Sequence, residues 1–415
     1  MKRFMRRSMV TVGVLLLVLL IALLAVPRFF PTDKLTQQIV REVSRATGAD
    51  VTLDEAELSW RGSWRLVLRE GQITGTGGDL AAATGSANEL DTYAAHIGEL
   101  VVVPALMPLL RKQLEVREIS LAGESLAVTW EGGAAEISGY RVRLTDLNLG
   151  LEQAGAGVAP GQRIPPDLAF LFAAVADTVI LQEVPYTDLE LEGRLAGRVV
   201  EVSRWEARRS TGSLGGKLTA DYNEDPWGRL VFEVEGEDIP AAALLVPWIP
   251  EVAIRLDSDL SLGAVGRCDL RDKATRMRTL DVAGTVSGSE GVLRATDWLH
   301  EVSGYLGNRQ DLTTVGFKAL AHEFRFVQGR YMLQGLTLKG GETEWQGQGW
   351  VVPQGNLAIA LDVKLPAGFT PDLGGLSFLA QSLRDTEGRI NLPLTLSGRA
   401  DKPVVGVDLG RLRTP

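Results

Sequence analysis

Apolar and polar residues alternate along most of this chain, and that two-residue period limits its fold more than any other feature. Val51 and Leu53 alternate with Thr52 and Asp54; Leu58 and Trp60 follow, then Leu66 and Leu68 set among Arg65, Val67 and Arg69. The pattern returns at Leu189 and Leu191, at 200–205, at 214–220, at Leu230/Phe232/Val234 and at Ile254/Leu256/Leu260/Leu262. It continues at Leu280/Val282/Val286, Phe324/Phe326, Leu357/Ile359/Leu361/Val363/Leu365, Ile390/Leu392/Leu394/Leu396 and Val405/Val407/Leu409. Neighbouring side chains of a strand point to opposite faces, so each segment has one apolar and one polar side. An antiparallel sheet covered on one face has this signature. Residues 114–130 read as two strands around Gly123, with Leu114, Val116, Ile119, Leu121, Leu126, Val128 and Trp130 inward. The change of phase between Val116 and Ile119 predicts a bulge.

Helical patterns are few. Pro31-Thr32-Asp33 opens one that places Leu35, Ile39, Val43 and Ala46 on one face, and Gly48 ends it. Three further short helices are expected over 165–175, 298–306 and 372–383. They cannot cover so many half-apolar strands. A second sheet, closure into a barrel, or an apolar ligand must do so.

Residues 9–26 form an uncharged apolar run of about 27 Å as a helix, close to the roughly 30 Å of a bilayer's hydrocarbon. Val14, Leu16, Leu19, Leu20 and Leu23 make its apolar centre. Lys2, Arg3, Arg6 and Arg7 precede it and no acid occurs before Asp33, so the tail is expected in the cytoplasm and the bulk outside. A cleaved signal peptide is the alternative. Against it stand the length of the run and bulky Leu23 where cleavage after Ala25 wants a small residue. Removing the five basic residues of 1–30 leaves 38 Lys and Arg against 52 Asp and Glu, a net charge near −14. Such a body is poorly suited to nucleic acid or anionic headgroups, and no nucleic-acid partner is expected. Cys268 is the only cysteine, so no intramolecular disulfide can form.

Chemistry is sparse. His96, His300 and His322 lie far apart in no metal-binding spacing. Ser287-Gly-Ser-Glu-Gly291 lacks the first glycine of a nucleophile elbow, and no phosphate-binding loop occurs. The acid pairs Glu233/Glu235 and Asp257/Asp259 have the spacing of any solvated strand face. The expectation is a non-enzyme with no catalytic residue, no metal and no cofactor. Trp60, Trp130, Trp205, Trp345 and Trp350 fit either core packing or the wall of an acyl-chain path. Four segments are expected: tail and transmembrane anchor 1–30, connecting helix 31–48, an N-terminal β region 49–266 and a C-terminal β region 267–415. The charged stretch 267–278 either divides the last two or is a loop within one sheet.

With its basic tail, apolar run, helix ending in Ala46-Thr47-Gly48, strand from Ala49 to Leu53 and Leu58-Ser59-Trp60, the chain resembles the AsmA family of Gram-negative envelope proteins. Residues 284–291, 324–338 and 345–349 resemble its C-terminal module. The segments 388–398 and 401–408 are similar to its closing hairpin. The resemblance implies a mainly β, elongated, taco-like antiparallel β-groove behind an N-terminal transmembrane helix, in a family whose larger members are implicated in moving phospholipid between membranes. On that basis the groove-lining candidates are Leu189, Leu191, Phe232, Leu256, Leu260, Phe324, Phe326, Leu357, Ile359, Leu361, Val363, Ile390, Leu392, Leu394 and Leu396. The expected partners are phospholipids, the inner membrane and envelope proteins at the distal end. The expected function is acyl-chain binding in intermembrane lipid transport, with the bulk in the periplasm. The alternative is a scaffold that holds outer-membrane protein strands by β-addition.

Overall fold

The computed structural model describes residues 36–37, 40–41, 44, 49–60, 63–78, 90–105, 115–130, 133–148, 168–181, 183–223, 228–245, 256–294, 299–300, 314–353, 355–369, 384–400 and 402–408. The apolar run 9–26 and the helix expected over 372–383 fall outside these residues, as does most of the one expected over 298–306. Thr36, Gln37, Val40, Arg41 and Ser44 are helical, as are Leu299 and His300. No helix among the described residues is long and apolar enough to cross a membrane. The chain divides into two compact units, residues 1–198 and 199–415.

The first unit is an antiparallel sheet of β1 (Asp50–Trp60), β2 (Trp64–Thr76), β3 (Leu90–Pro104), β4 (Glu115–Trp130), β5 (Gly133–Asn148), β6 (Ala169–Leu181) and β7 (Val184–Ala196). Each strand pairs with the next in the chain. Residues 115–130, expected as two strands, are one strand with bulges. Arg117 is the extra residue between Val116 and Glu118, at the expected change of phase, and Glu124 is a second beside Gly123. Two bulges let a single strand keep its apolar residues on one side despite the broken alternation.

The expected helix over 165–175 is corrected: residues 169–181 form β6. Phe170, Phe172 and Ala174 lie on one face and Leu171, Ala173 and Val175 on the other, so the segment is apolar on both sides and its period is ambiguous. Pairing with β5 and β7 along both edges settles the matter in favour of strand.

The second unit carries a run of eleven strands: β8 (Val199–Arg209), β9 (Gly212–Asp221), β10 (Arg229–Pro240), β12 (Asp259–Asp269), β13 (Asp281–Gly288), β16 (Ala319–Val327), β17 (Arg330–Lys339), β18 (Glu344–Val351), β19 (Asn356–Lys364), β20 (Asn391–Arg399) and β21 (Lys402–Val407). Each is antiparallel to the one before it in that order. Three short strands, β11 (Leu256–Asp257), β14 (Gly291–Leu293) and β15 (Val315–Phe317), form a separate small sheet. Helix α1 (Ala241–Leu245) follows β10. The charged stretch 267–278 holds the end of β12 and most of α2 (Lys273–Thr279), which Asp272 caps by accepting a 2.8 Å hydrogen bond from the Thr275 N–H. Its flanking strands pair without a break, from Leu260 opposite Gly288 to Arg267 opposite Asp281. In β17, Gly335 (φ +58°) sits in a bulge that keeps Leu333 and Leu336 on the same face.

Candidate apolar ligand face

Register converts the alternation into continuous rows of apolar side chains. In the first unit one row crosses all seven strands: Ala56, Leu68, Leu100, Leu121, Val142, Ala174 and Leu191. A second runs Leu58, Leu66, Val102, Ile119, Leu144 and Phe172. Ala56 and Leu68 are buried, but Leu66, Leu100, Leu121, Val142, Leu144, Phe172 and Leu191 all retain exposed surface. The opposite face carries ion pairs on β1–β5, while that of β6 stays apolar with Leu171, Ala173 and Val175. Arg69 reaches Glu55 at 3.1 Å, Glu57 at 3.3 Å and Glu99 at 3.7 Å, and Arg143 reaches Glu118 at 3.0 Å. Exposed pairs of this kind add little stability; they keep that face wet.

Glycines on the apolar face seat aromatic rings. A Cβ at Gly123 would run into the ring of Tyr140, and one at Gly75 into Tyr93. The Tyr140 hydroxyl donates to the carbonyl of His96 at 3.2 Å, and burial pushes its pKa up. The second unit repeats the device with Phe232 over Gly266 and Phe324 beside Gly284. An aromatic ring laid across a glycine covers backbone that would otherwise be bare.

In the second unit one row crosses eleven strands: Trp205, Gly216, Val234, Ala264, Gly284, Phe324, Leu333, Gly349, Ile359, Leu396 and Val405. A parallel row, Leu260, Gly288, Leu320, Leu338, Trp345, Val363 and Leu392, is closed over. A polar pair interrupts the face: His322 Nε2 lies 2.6 Å from the Tyr331 hydroxyl, whose ring stacks on Phe324. Burial lowers the His322 pKa to about 4 and raises that of Tyr331, so the pair is neutral, and His322 Nδ1 is buried without a partner. The outer face has a charge cluster in which Asp281 accepts two 3.0 Å hydrogen bonds from Arg325 and one of 3.2 Å from Arg267. The Arg325 guanidinium, and secondarily Arg267, hold the Asp281 carboxyl below the usual range.

The fifteen candidate lining residues separate into three groups. Leu189, Leu191, Phe232, Phe324 and Ile359 sit on apolar faces with surface exposed. Leu260, Phe326, Leu357, Leu361, Val363, Ile390, Leu392, Leu394 and Leu396 are buried, and all of them but Phe326 belong to one hydrophobic cluster. Side chains with no accessible surface, such as Val363 and Leu394, form core in this structure and offer a ligand no wall. Leu256 is not on the long sheet at all; it pairs with Leu293 in the small one. Alternation marked the apolar side of strands such as β19 and β20 but carried no information on which stretches the chain itself covers. The row Leu100–Leu121–Val142, absent from the candidates, was available from the same alternation.

A hollow of ≈ 590 Å³ opens among Thr74, Thr76, Thr92 and Thr129, whose hydroxyls include a 2.7 Å Thr92–Thr129 contact. Among the described residues no group of three His, Cys, Asp or Glu side chains could hold a metal ion.

These features define a class: antiparallel sheets of consecutively paired strands, apolar on one side, with a charged outer side. Residues 1–135, about a third of the chain, match the AsmA family model. No curated protein and no solved structure matches it. The likenesses drawn above from residues 284–408 lie outside the matched stretch.

Proposed function

We propose that this is an envelope protein that holds the acyl chains of phospholipid against a one-sided apolar sheet and contributes to lipid movement between membranes. One observation carries the reading: apolar rows cross seven consecutive strands of the first unit and keep exposed surface. Each methylene laid on such a face leaves water at a gain of about 0.8 kcal/mol. The headgroup stays in solvent, so no charge need be desolvated. Sliding between equivalent apolar positions meets no large barrier, and direction comes from a gradient or a partner. The apolar run 9–26 would anchor the protein in the inner membrane with its bulk in the periplasm, which brings the sheet to the leaflet that supplies lipid.

The test is lipid extraction and mass spectrometry on the full chain, purified gently from membranes. Phospholipid is expected to co-purify in roughly stoichiometric amount. A lipid-free protein that binds unfolded outer-membrane barrel precursors would overturn the reading in favour of an assembly scaffold.

A further inference from the structure

A strand that is apolar on both faces suits a sheet covered on both sides. β6 is such a strand, and its Leu171, Ala173 and Val175 lie on the outer face of the first unit. Leu171 keeps 48 % of its surface exposed there, Ala173 is exposed and Val175 is half-buried.

The flanking strands give this apolar stripe a charge pattern. Register sets Arg143 of β5 and Glu192 of β7 on either side of Ala173, and Arg141 and Glu190 on either side of Val175. All four are exposed. Arg143 reaches Glu118 at 3.0 Å yet keeps 63 % of its side chain in solvent, and a guanidinium has donors to spare. Positive charge therefore lines one flank of the stripe and negative charge the other.

This pattern is its own complement. Stack two such sheets outer face to outer face about a two-fold axis that runs along β6. Each copy's β5 then lies over the other's β7, and every row stays in step. Arg143 faces Glu192 of the second copy, Arg141 faces Glu190, and Leu171, Ala173 and Val175 meet themselves. Arg194, level with Leu171, falls opposite the Thr145 hydroxyl. A two-fold axis across the strands would instead set arginine against arginine and glutamate against glutamate, which like-charge repulsion disfavours.

We infer that the outer face of β5–β7 is an isologous contact for a second copy of this chain. The patch spans three strands by five residues, roughly 15 Å by 17 Å, well under the roughly 800 Å² per partner of a stable interface. The pairing is therefore weak and reversible. It leaves the opposite face, with Val142 and Ala174, uncovered, and it stands independently of the lipid-binding reading.

The test uses the full chain in phosphatidylethanolamine–phosphatidylglycerol vesicles, with one cysteine introduced in a Cys268→Ser background and a short bismaleimide as crosslinker. Ala173→Cys is expected to give at least tenfold more covalent dimer than its neighbour Ala174→Cys, which lies on the other face; equal yields, or dimer from neither, overturn the inference. A monofunctional maleimide that reaches Ala173→Cys no faster than Ala174→Cys would mean that the outer face is covered, and overturns it as well. Charge then tests the axis. Arg141→Glu or Glu190→Arg, added to Ala173→Cys, sets like charges opposite each other and should cut the dimer yield at least fivefold. An equimolar mixture of those two variants restores opposite charges in the mixed dimer and so should restore crosslinking, which a folding defect would not do. A mixture no better than either variant alone overturns the two-fold contact. Crosslinking of Ala173→Cys in intact cells to a different chain, with no dimer, would assign the face to that partner instead.

Discussion

Gly347 and Leu361 offer the most direct measure of how tightly the buried cluster of the second unit is packed. They face each other across β18 and β19. A Cβ at Gly347 would lie 2.8 Å from Leu361 Cδ2 and 3.2 Å from Leu336 Cδ2. The leucine therefore fills the space the glycine leaves, and it is 4 % exposed. Leu361→Ala opens a cavity in a cluster held from both sides and is expected to cost about 2–5 kcal/mol. Gly347→Ala gains roughly 0.5–1 kcal/mol from a less flexible unfolded backbone, but forces Leu361 out of place, for a net loss of about 1–2 kcal/mol. Combined, the two changes relieve each other, because the new methyl occupies part of the vacated volume. The double variant should be more stable than Leu361→Ala alone by about 1 kcal/mol, a coupling of roughly 2–3 kcal/mol. Urea unfolding followed by tryptophan fluorescence reads this out, since Trp345 belongs to the same cluster. Hydrogen exchange over 344–364 assigns the transition to the second unit. Strict additivity of the two changes would refute the packing argument.

Three further perturbations test other parts of the structure. His322, neutral in the fold with a pKa of about 4 against 6.5 unfolded, binds a proton more readily when the chain unfolds. Its contribution is complete above about pH 6.5 and is lost as pH falls towards 4, by roughly 3 kcal/mol; urea midpoints between pH 7 and 4 should lose that slope in His322→Leu, and an unchanged slope would refute the assignment. Asp281, with its pKa depressed mainly by Arg325, stabilises the fold above the ordinary carboxylate range and ceases to as pH falls through its lowered value. Asp281→Asn should therefore be less stable than the parent at pH 7, with the difference closing as pH falls below the ordinary carboxylate range, and a gap of constant size would count against the ion cluster. Gly123→Ala, which displaces the Tyr140 ring, should lower stability by about 1–3 kcal/mol in thermal unfolding followed by circular dichroism. Tyr140→Phe keeps the ring, loses only a 3.2 Å hydrogen bond and should cost no more than about 1.5 kcal/mol; the reverse order would refute the ring-over-glycine account.

Much of the sheet was legible from alternation alone. Leu357, Ile359, Leu361 and Val363 do share a face, as do Leu392, Leu394 and Leu396, because a strand's period is fixed by backbone geometry. The break of phase at Arg117 was legible for the same reason. β6 was not, since Phe170–Val175 is apolar on both faces and pairing partners, which sequence spacing does not reveal, decide its state. The buried cluster of the second unit was illegible in a different way. Gly291-Val-Leu and Val315-Gly-Phe are too short to have a period, and Leu299 and Leu365 stand outside any strand. Their burial arises from long-range packing, so residues such as Leu394 and Val363 were read as ligand wall when they are core. His322 looked like one scattered histidine among three; only the register across β16 and β17 brings Tyr331 to it.

Because the strands of each long run pair in chain order, each unit resembles a quasi-one-dimensional array of antiparallel strands. Its energetics then resemble those of a repeat protein, a sum of strand terms and nearest-neighbour interfaces. The natural increment of length is a pair of strands. Adding or removing one hairpin leaves the direction and inward set of every other strand as they were, whereas adding a single strand reverses all that follow. Such a chain can lengthen or shorten its apolar face in evolution without redesigning a core. The strands that contribute to the buried cluster of the second unit are the exception, because Leu299, Phe317 and Ile390 tie together strands that are otherwise related only through their neighbours. Those strands are fixed in number, and change in length is left to the strands outside the cluster.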